Sequence, residues 1–171
     1  GGALCADVFS YIAAAQRTPA GKRYTLTVNW RSESGYVAAL NRFFAEVRNP
    51  FAIGGDAVSY VPVVAAPASR GNALPLRIDG KPAAELRLWV AQQETRGYLP
   101  KDAARSLALQ ATVREISLLL ALGAAGRATI GSRPLKPSDI AILVLRNEDA
   151  RLFIEPLRAL HIPAVIARTG S

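Results

Sequence analysis

The chain has 171 residues, of which 50% are hydrophobic and 20% are charged. This length fits one domain that buries most of its apolar surface, and a half-apolar composition argues against disorder. No window reaches about 18 uninterrupted apolar residues, so we expect no membrane-spanning helix. The single cysteine, Cys5, excludes an intramolecular disulfide framework and a cysteine-rich zinc site.

Lys and Arg number 21 against 13 Asp and Glu, which gives a formal net charge of +8. Such a charge favours a nucleic-acid partner, because releasing counterions from phosphates drives binding. A compositional bias toward Arg is the alternative, since no long run of cations concentrates the charge. The chain also lacks methionine and opens with Gly1-Gly2-Ala3, from which we expect a segment cut from a longer protein.

Helices and strands alternate along the chain, separated by Gly- and Pro-containing turns. Apolar residues three and four positions apart predict four helices, at 7–16, 33–48, 102–122 and 148–160. Runs rich in β-forming residues predict six strands, at 24–28, 60–64, 74–78, 85–91, 139–145 and 164–167. The expected N-caps are Ser32, Asp102 and Asn147.

The apolar run at 139–145 is typical of a strand covered on both faces. With the following helix and the strand at 164–167, it predicts a right-handed βαβ unit. The expected fold class is therefore α/β with a mainly parallel sheet. We expect a single domain over residues 1–171, in which residues 48–100 form an irregular, strand-rich insertion.

Most catalytic constellations are missing from the sequence. Gly21-Lys22 and Gly80-Lys81 lack the following Ser or Thr of a phosphate-cradling loop. The only imidazole belongs to His161, interpreted as a turn residue, so Ser/His/Asp catalysis has no support. Glu148-Asp149 is interpreted as a pair of first-turn acids that favour the helix dipole rather than as metal ligands. The chain by itself is predicted to be catalytically incomplete.

Residues 24–32 read YTLTVNWRS and carry the most functional information. Trp30 and Arg31 follow the carboxyl end of a predicted strand, which is where α/β sheets place ligands. The indole of Trp30 offers a face for stacking, and the Arg31 guanidinium is a planar fork suited to phosphate oxygens. The alternative interpretation is structural, with Trp30 in the core and Arg31 paired with a carboxylate such as that of Glu33.

This segment resembles motif IV of superfamily 1 DNA helicases of the UvrD, Rep and PcrA type, where an Asn-aromatic-Arg-Ser core follows a strand. Trp30, in place of the Tyr common in the UvrD branch, is more similar to the RecB branch. Residues 6–9 resemble the tail of motif III, but residues 3–5 lack the aromatic, Arg and Gly of that motif. Either residues 1–5 are foreign to the natural chain, or this copy has lost the motif III function.

Further segments resemble the same family in the same order along the chain. They are residues 49–51, 60–63, 86–89, 138–144 with Arg146, and 157–164. The resemblance therefore implies a RecA-like fold, lacking its own P-loop, and the first segment of the 2A domain of a RecB-like helicase.

In this family ATP lies between two RecA-like domains, of which 1A provides the P-loop and the Mg²⁺-binding acidic motif. The resemblance implies that Arg31 is an arginine finger on the γ-phosphate and that Trp30 packs beside the adenine. ATP and Mg²⁺ are thus the implied cofactors, with the Mg²⁺ ligands outside this chain. The implied parent is an ATP-dependent DNA helicase and exonuclease that unwinds duplex DNA during recombinational repair of double-strand breaks.

The implied partners are single-stranded DNA and duplex ends, the 1A, 2B and nuclease domains of the parent chain, and RecC- and RecD-like subunits. The implied location is the bacterial cytoplasm, without a membrane, and the chain alone is expected to be inactive. Two alternatives remain open. One is a UvrD- or AddA-like helicase segment; the other is a non-catalytic α/β module, in which Trp30 and Arg31 would be buried or paired.

Overall fold

A computed structural model describes residues 8–47, 50–51, 58, 60–67, 74–91 and 97–167 of the chain. The chain divides into two compact units, Gly1–Ala73 and Leu74–Ser171. Both contain helices and short strands, so the mixed α/β class is confirmed. That the whole chain acts as one domain stays a prediction.

The first unit contains two helices and a parallel pair of short strands. The helices are α1, Val8–Arg17, and α2, Ser34–Ala45; the strands are β1, Val28–Asn29, and β2, Val64–Ala65. Val28 lies opposite Val64 and Asn29 opposite Ala65. Both helices lie where the apolar spacing predicted them. The N-cap position of α2 is Glu33 rather than the predicted Ser32, and Glu33 makes no side-chain capping bond.

One face of α2 holds the first unit together. Val37, Asn41 and Phe44 lie four and three residues apart, which places them on one side of the helix. Val37 is buried, and Phe44 stacks on Tyr60 with 4.6 Å between the ring centroids. Asn41 Nδ2 donates to the Val63 carbonyl at 2.7 Å, and Asn41 Oδ1 accepts from the Tyr60 hydroxyl at 2.7 Å. These contacts fasten α2 to the segment that leads into β2.

The second unit contains a four-stranded antiparallel sheet in the order β4-β3-β5-β6. The strands are β3, Leu76–Ile78; β4, Lys81–Pro82; β5, Ala128–Ile130; and β6, Arg133–Pro134. Two-residue turns join β3 to β4 and β5 to β6, and such turns require antiparallel neighbours. The larger described sheet is therefore not the parallel sheet that was predicted. Proline in both edge strands limits further pairing.

Helix α3, Lys101–Ala124, packs against β5 and contributes Val113 and Ile116 to the second unit's core. Its Val113 and Ile116 cluster with Leu157 of α5, Ile154–Ala159, which follows α4, Asn147–Arg151. By length and composition α3 could cross a membrane, contrary to the sequence expectation, but core helices of soluble proteins pass the same test. Its part in this cluster, and its Arg114 and Glu115, favour a core helix.

Helices α3 and α5 end in the same hydrogen-bonded motif. After α3, Gly126 has φ +70° and donates to the Gly123 carbonyl, while Arg127 donates to Leu122. After α5, His161 takes the glycine-like position with φ +58°, which confirms that it is a turn residue. The helix predicted at 148–160 is broken between α4 and α5.

Three predicted strands are not strands among the described residues: 85–91, 139–145 and 164–167. In the second of these, Ile140 and Ile142 pack on the core while Leu143 and Leu145 are 95% and 94% exposed. The segment is thus covered on one face, not on two as predicted. The expectations for residues 1–7, including Cys5, and for 48–49 and 92–96 lie outside the described residues.

Candidate functional site

The candidate site begins where β1 ends, at a turn organised by one side chain. Asn29 Oδ1 accepts a hydrogen bond from the Arg31 backbone N–H at 2.9 Å and another from the Ser32 N–H at 3.0 Å. An Asn oxygen that bonds the backbone two and three residues ahead reverses the chain locally. The turn therefore places Trp30 and Arg31 at the corner between β1 and α2.

Asn29 is itself held in place by the parallel ladder. Its backbone carbonyl accepts from the Ala66 N–H at 2.8 Å, and Thr27 accepts from the Val64 N–H at 2.8 Å. Ala66 is only 4% exposed, so water does not compete freely for its hydrogen bond. The corner is thus held on its N-terminal side by the pairing of β1 with β2, and α2 begins on its C-terminal side at Ser34.

Both predicted site residues lie at the surface of the first unit. Trp30 is 56% exposed, and Arg31 is exposed as well. Within the part of the chain that the structure describes, the Arg31 guanidinium makes no hydrogen bond or ion pair. The structural alternative, an ion pair between Arg31 and Glu33, is not observed.

An exposed apolar row leads to this corner. Tyr24 and Leu26 are 92% and 91% exposed, and Val28 is 37% exposed. Together with Trp30 they occupy alternate positions along the chain. Apolar side chains grouped on a surface in this way mark contact sites for another molecule or domain.

Two arginines of the second unit, Arg127 and Arg133, are bound to carboxylates. Arg133 makes two hydrogen bonds of 2.7 Å to the Asp139 carboxylate, and Arg127 binds Asp79 at 2.7 and 2.9 Å. The hydrogen bond from Arg133, and to a smaller extent that from the Lys136 N–H, lowers the pKa of Asp139 to about 2. Arg127 likewise lowers the pKa of Asp79. These guanidiniums have partners within the fold.

A separate cleft of about 440 Å³ lies in the second unit, between α3, residues 142–146 and α4. Its polar lining includes Lys101, Arg146 and the ion pair of Arg105 with Asp149. Glu148 and Asp149 lie in the first turn of α4, as predicted. No group of three or more His, Cys, Asp or Glu that could hold a metal ion occurs among the described residues. The described residues that line the cleft therefore include no set of side chains that could ligate a metal ion.

Two asparagines, Asn29 and Asn41, make hydrogen bonds that organise the first unit and that the sequence did not predict. At the sequence level Asn29 has only a place in the motif at residues 24–32, and Asn41 has no assigned role. For Asn29 a signal existed, because Asn two residues before a chain reversal commonly bonds the backbone ahead of it. For Asn41 the partners are 19 and 22 residues away, beyond the reach of any local pattern.

Comparison with known proteins first gives a class. No protein-family model matches the chain, but curated relatives called "RecBCD enzyme subunit RecB" match it over nearly its whole length. Identity to the Escherichia coli (strain K12) protein is 28% over 164 residues. It is 30% to the protein of Buchnera aphidicola and 29% to that of Mycobacterium tuberculosis (strain CDC 1551 / Oshkosh). The chain is RecB-like in sequence.

The match covers almost all of this chain and a small part of each relative. For the Escherichia coli protein it spans 94% of the chain and 13% of the relative, and for Mycobacterium tuberculosis 93% and 14%. The similarity thus concerns one segment of RecB, and it confirms the resemblance inferred from residues 24–32 and the segments that follow them.

Proposed function

We propose that this chain is part of a RecB-like, ATP-dependent DNA helicase and exonuclease subunit, and that Arg31 is its contribution to ATP hydrolysis. The observation that carries the proposal is the exposed guanidinium of Arg31, which has no partner among the described residues and stands at a strand-to-helix corner. An unpaired arginine held on a fixed turn suits an anion supplied from outside the unit.

The chemistry asked of Arg31 is electrostatic. During phosphoryl transfer negative charge spreads over the oxygens of the γ-phosphate, and a guanidinium fork stabilises it with two charge-assisted hydrogen bonds. Arginine fingers of this kind accelerate hydrolysis by roughly 10³–10⁵-fold. The adjacent Trp30, which is 56% exposed, would pack beside the adenine. Since the chain supplies one wall of such a site, it is inactive alone.

The RecA-like fold with a mainly parallel sheet is part of the same proposal. Its support is the parallel pairing of β1 with β2 directly before the Trp30–Arg31 corner. The alternating burial of residues 140–145 also suits a strand that awaits neighbours. In the parent protein, ATP and Mg²⁺ would bind at the 1A domain, and this chain would close over them as part of the 2A domain.

DNA and companion subunits are the proposed partners. The net charge of +8 suits contact with DNA phosphates, and the relatives are named as a subunit of an enzyme. We therefore infer single-stranded DNA and duplex ends as ligands of the parent protein, with RecC- and RecD-like chains beside it in the bacterial cytoplasm. The competing non-catalytic module predicted a buried or paired Arg31, which the described contacts do not favour.

The test is ATP turnover by the full-length protein that carries this segment, with Arg31→Ala. We expect turnover to fall by about 10³-fold or more, with little change in the melting temperature, because the side chain makes no contact that stabilises the described fold.

Arg133→Ala is the matched control. It removes an arginine that is bound to Asp139, so we expect lower stability with nearly unchanged turnover. Near-wild-type turnover after Arg31→Ala would overturn the proposed role, as would metal-dependent turnover by the chain alone that Arg31→Ala abolishes.

A further inference from the structure

We propose that Asn29 is a positioning residue for Arg31, acting through the backbone rather than by touching the nucleotide. This inference rests on the function proposed above. Its basis is the pair of hydrogen bonds that Asn29 Oδ1 accepts from the N–H groups of Arg31, at 2.9 Å, and Ser32, at 3.0 Å.

The two bonds fix the backbone of the residue that carries the guanidinium. β1 ends at Asn29 and α2 begins at Ser34, so only four residues make the corner between them. Helix α2 starts at a cap, Glu33, that makes no side-chain capping bond. Asn29 therefore provides the side-chain hydrogen bonds at this corner that involve Arg31 and Ser32 directly.

The base of the corner is rigid enough to transmit this constraint. The Asn29 backbone carbonyl accepts a hydrogen bond from the N–H of buried Ala66. Asn29 is therefore anchored in the parallel pair of β1 and β2. From there the constraint reaches Arg31 through one side chain and one backbone amide. A catalytic group that is misplaced by about 1 Å loses on the order of 100-fold in rate, even when the displacement begins elsewhere.

The chemistry of the contact makes the inference specific. Both donors are backbone N–H groups and the acceptor is one side-chain oxygen, so only an oxygen at this position is needed. Asp retains that oxygen and also forms such turns, whereas Ala and Leu do not. Asn29→Asp should thus preserve the turn, while Asn29→Ala should release it.

The experiment combines Asn29→Ala, Asn29→Asp and Arg31→Ala in the full-length protein and measures kcat and KM for ATP. We expect Asn29→Ala to lower kcat by roughly 10- to 100-fold with a smaller change in KM. Asn29→Asp keeps the acceptor oxygen but adds a carboxylate that can pair with Arg31, as Asp139 pairs with Arg133, so hydrogen exchange rather than kcat is the readout for this variant. In the Arg31→Ala background, Asn29→Ala should cost nothing further, because a residue that acts only through Arg31 has nothing left to position.

A second readout does not depend on ATP. Amide hydrogen exchange at Arg31 and Ser32 in the chain should accelerate with Asn29→Ala and stay slow with Asn29→Asp. Asn41→Ala is the control, since it breaks bonds to Val63 and Tyr60 in the same unit without touching the corner. It should lower the melting temperature and leave exchange at Arg31 and Ser32 slow.

The outcomes separate the two proposals. If Arg31→Ala leaves kcat intact, the arginine-finger proposal fails, whatever the exchange rates show. If Arg31→Ala abolishes turnover but Asn29→Ala has no effect on kcat, or an equal effect in both backgrounds, the positioning role fails alone. Exchange at Arg31 and Ser32 that Asn29→Ala does not change would also overturn it.

Discussion

Arg31 in the first unit follows the short strand β1, whereas Arg133 in the second unit is the first residue of the short strand β6, and a side-chain oxygen organises a turn close to each of them. At the first turn the oxygen belongs to Asn29, which bonds the backbone and leaves the guanidinium alone. At the second it belongs to Asp139, which accepts from the Lys136 N–H and from Arg133 itself. A neutral amide and a carboxylate thus each organise a turn, with opposite consequences for the nearby arginine.

The difference concerns what each arginine has left to bind. A guanidinium that donates two hydrogen bonds to a carboxylate of the same fold has those N–H groups occupied and cannot use them for a ligand. One that faces solvent beside a neutral acceptor keeps the fork for an external anion. From this comparison we expect the Arg31 turn to serve a ligand and the Arg133 turn to serve the stability of the second unit.

Trp30→Ala gives the largest expected effect of the changes that sharpen this contrast. If the exposed indole stacks on adenine, its loss should weaken ATP binding by about 1–3 kcal/mol, roughly 5- to 150-fold in Kd. Isothermal titration of the full-length protein with ATP measures this directly.

Trp89→Ala is the matched control, because Trp89 is 57% exposed and Trp30 56%, and Trp89 belongs to the second unit. It should leave the Kd for ATP unchanged. Equal losses for the two tryptophans, or none for Trp30, would remove the stacking role and weaken the contrast between the units.

Asp139→Asn should have a smaller effect, on stability alone. Because Arg133 holds the pKa of Asp139 at about 2, below its ordinary value of 3.8, the ionised carboxylate stabilises the fold at neutral pH. That stabilisation is complete above about pH 4 and is lost as the pH falls toward 2. We expect the variant to melt a few degrees below the parent chain at pH 7 and at the same temperature near pH 2.

Thermal melts of the chain at several pH values measure this effect. Arg31→Ala should leave the melting temperature unchanged across the same range, since the described structure gives its guanidinium no partner. A deficit for Asp139→Asn that persists undiminished at pH 2 would show that the carboxylate's charge is not what matters.

The sequence predicted the helices better than the sheets, for a physical reason. Helices α1, α2 and α3 depend on contacts three and four residues apart, which the spacing of apolar residues reports. Strands depend on partners that are distant in sequence, so the pairing of β3 with β5, some 50 residues on, left no local trace. Residues 128–134 form the hairpin β5–β6, where the sequence predicted no strand.

The candidate site divides in the same way. Trp30 and Arg31 could be singled out from their residue types and their place after a strand. The free state of the Arg31 guanidinium could not, because Glu33 stands two residues away and offered an equally good local partner. Deciding between the two required the three-dimensional structure, in which no ion pair joins Arg31 to Glu33 among the described residues.

The most direct test of the central claim compares ATP with ADP. In the full-length protein, Arg31→Ala should weaken ATP binding by about tenfold or more, the value of a charge-assisted hydrogen bond, and leave the Kd for ADP unchanged. This follows because ADP lacks the γ-phosphate that Arg31 is proposed to bind. Equal weakening of both nucleotides, or of neither, would contradict the account.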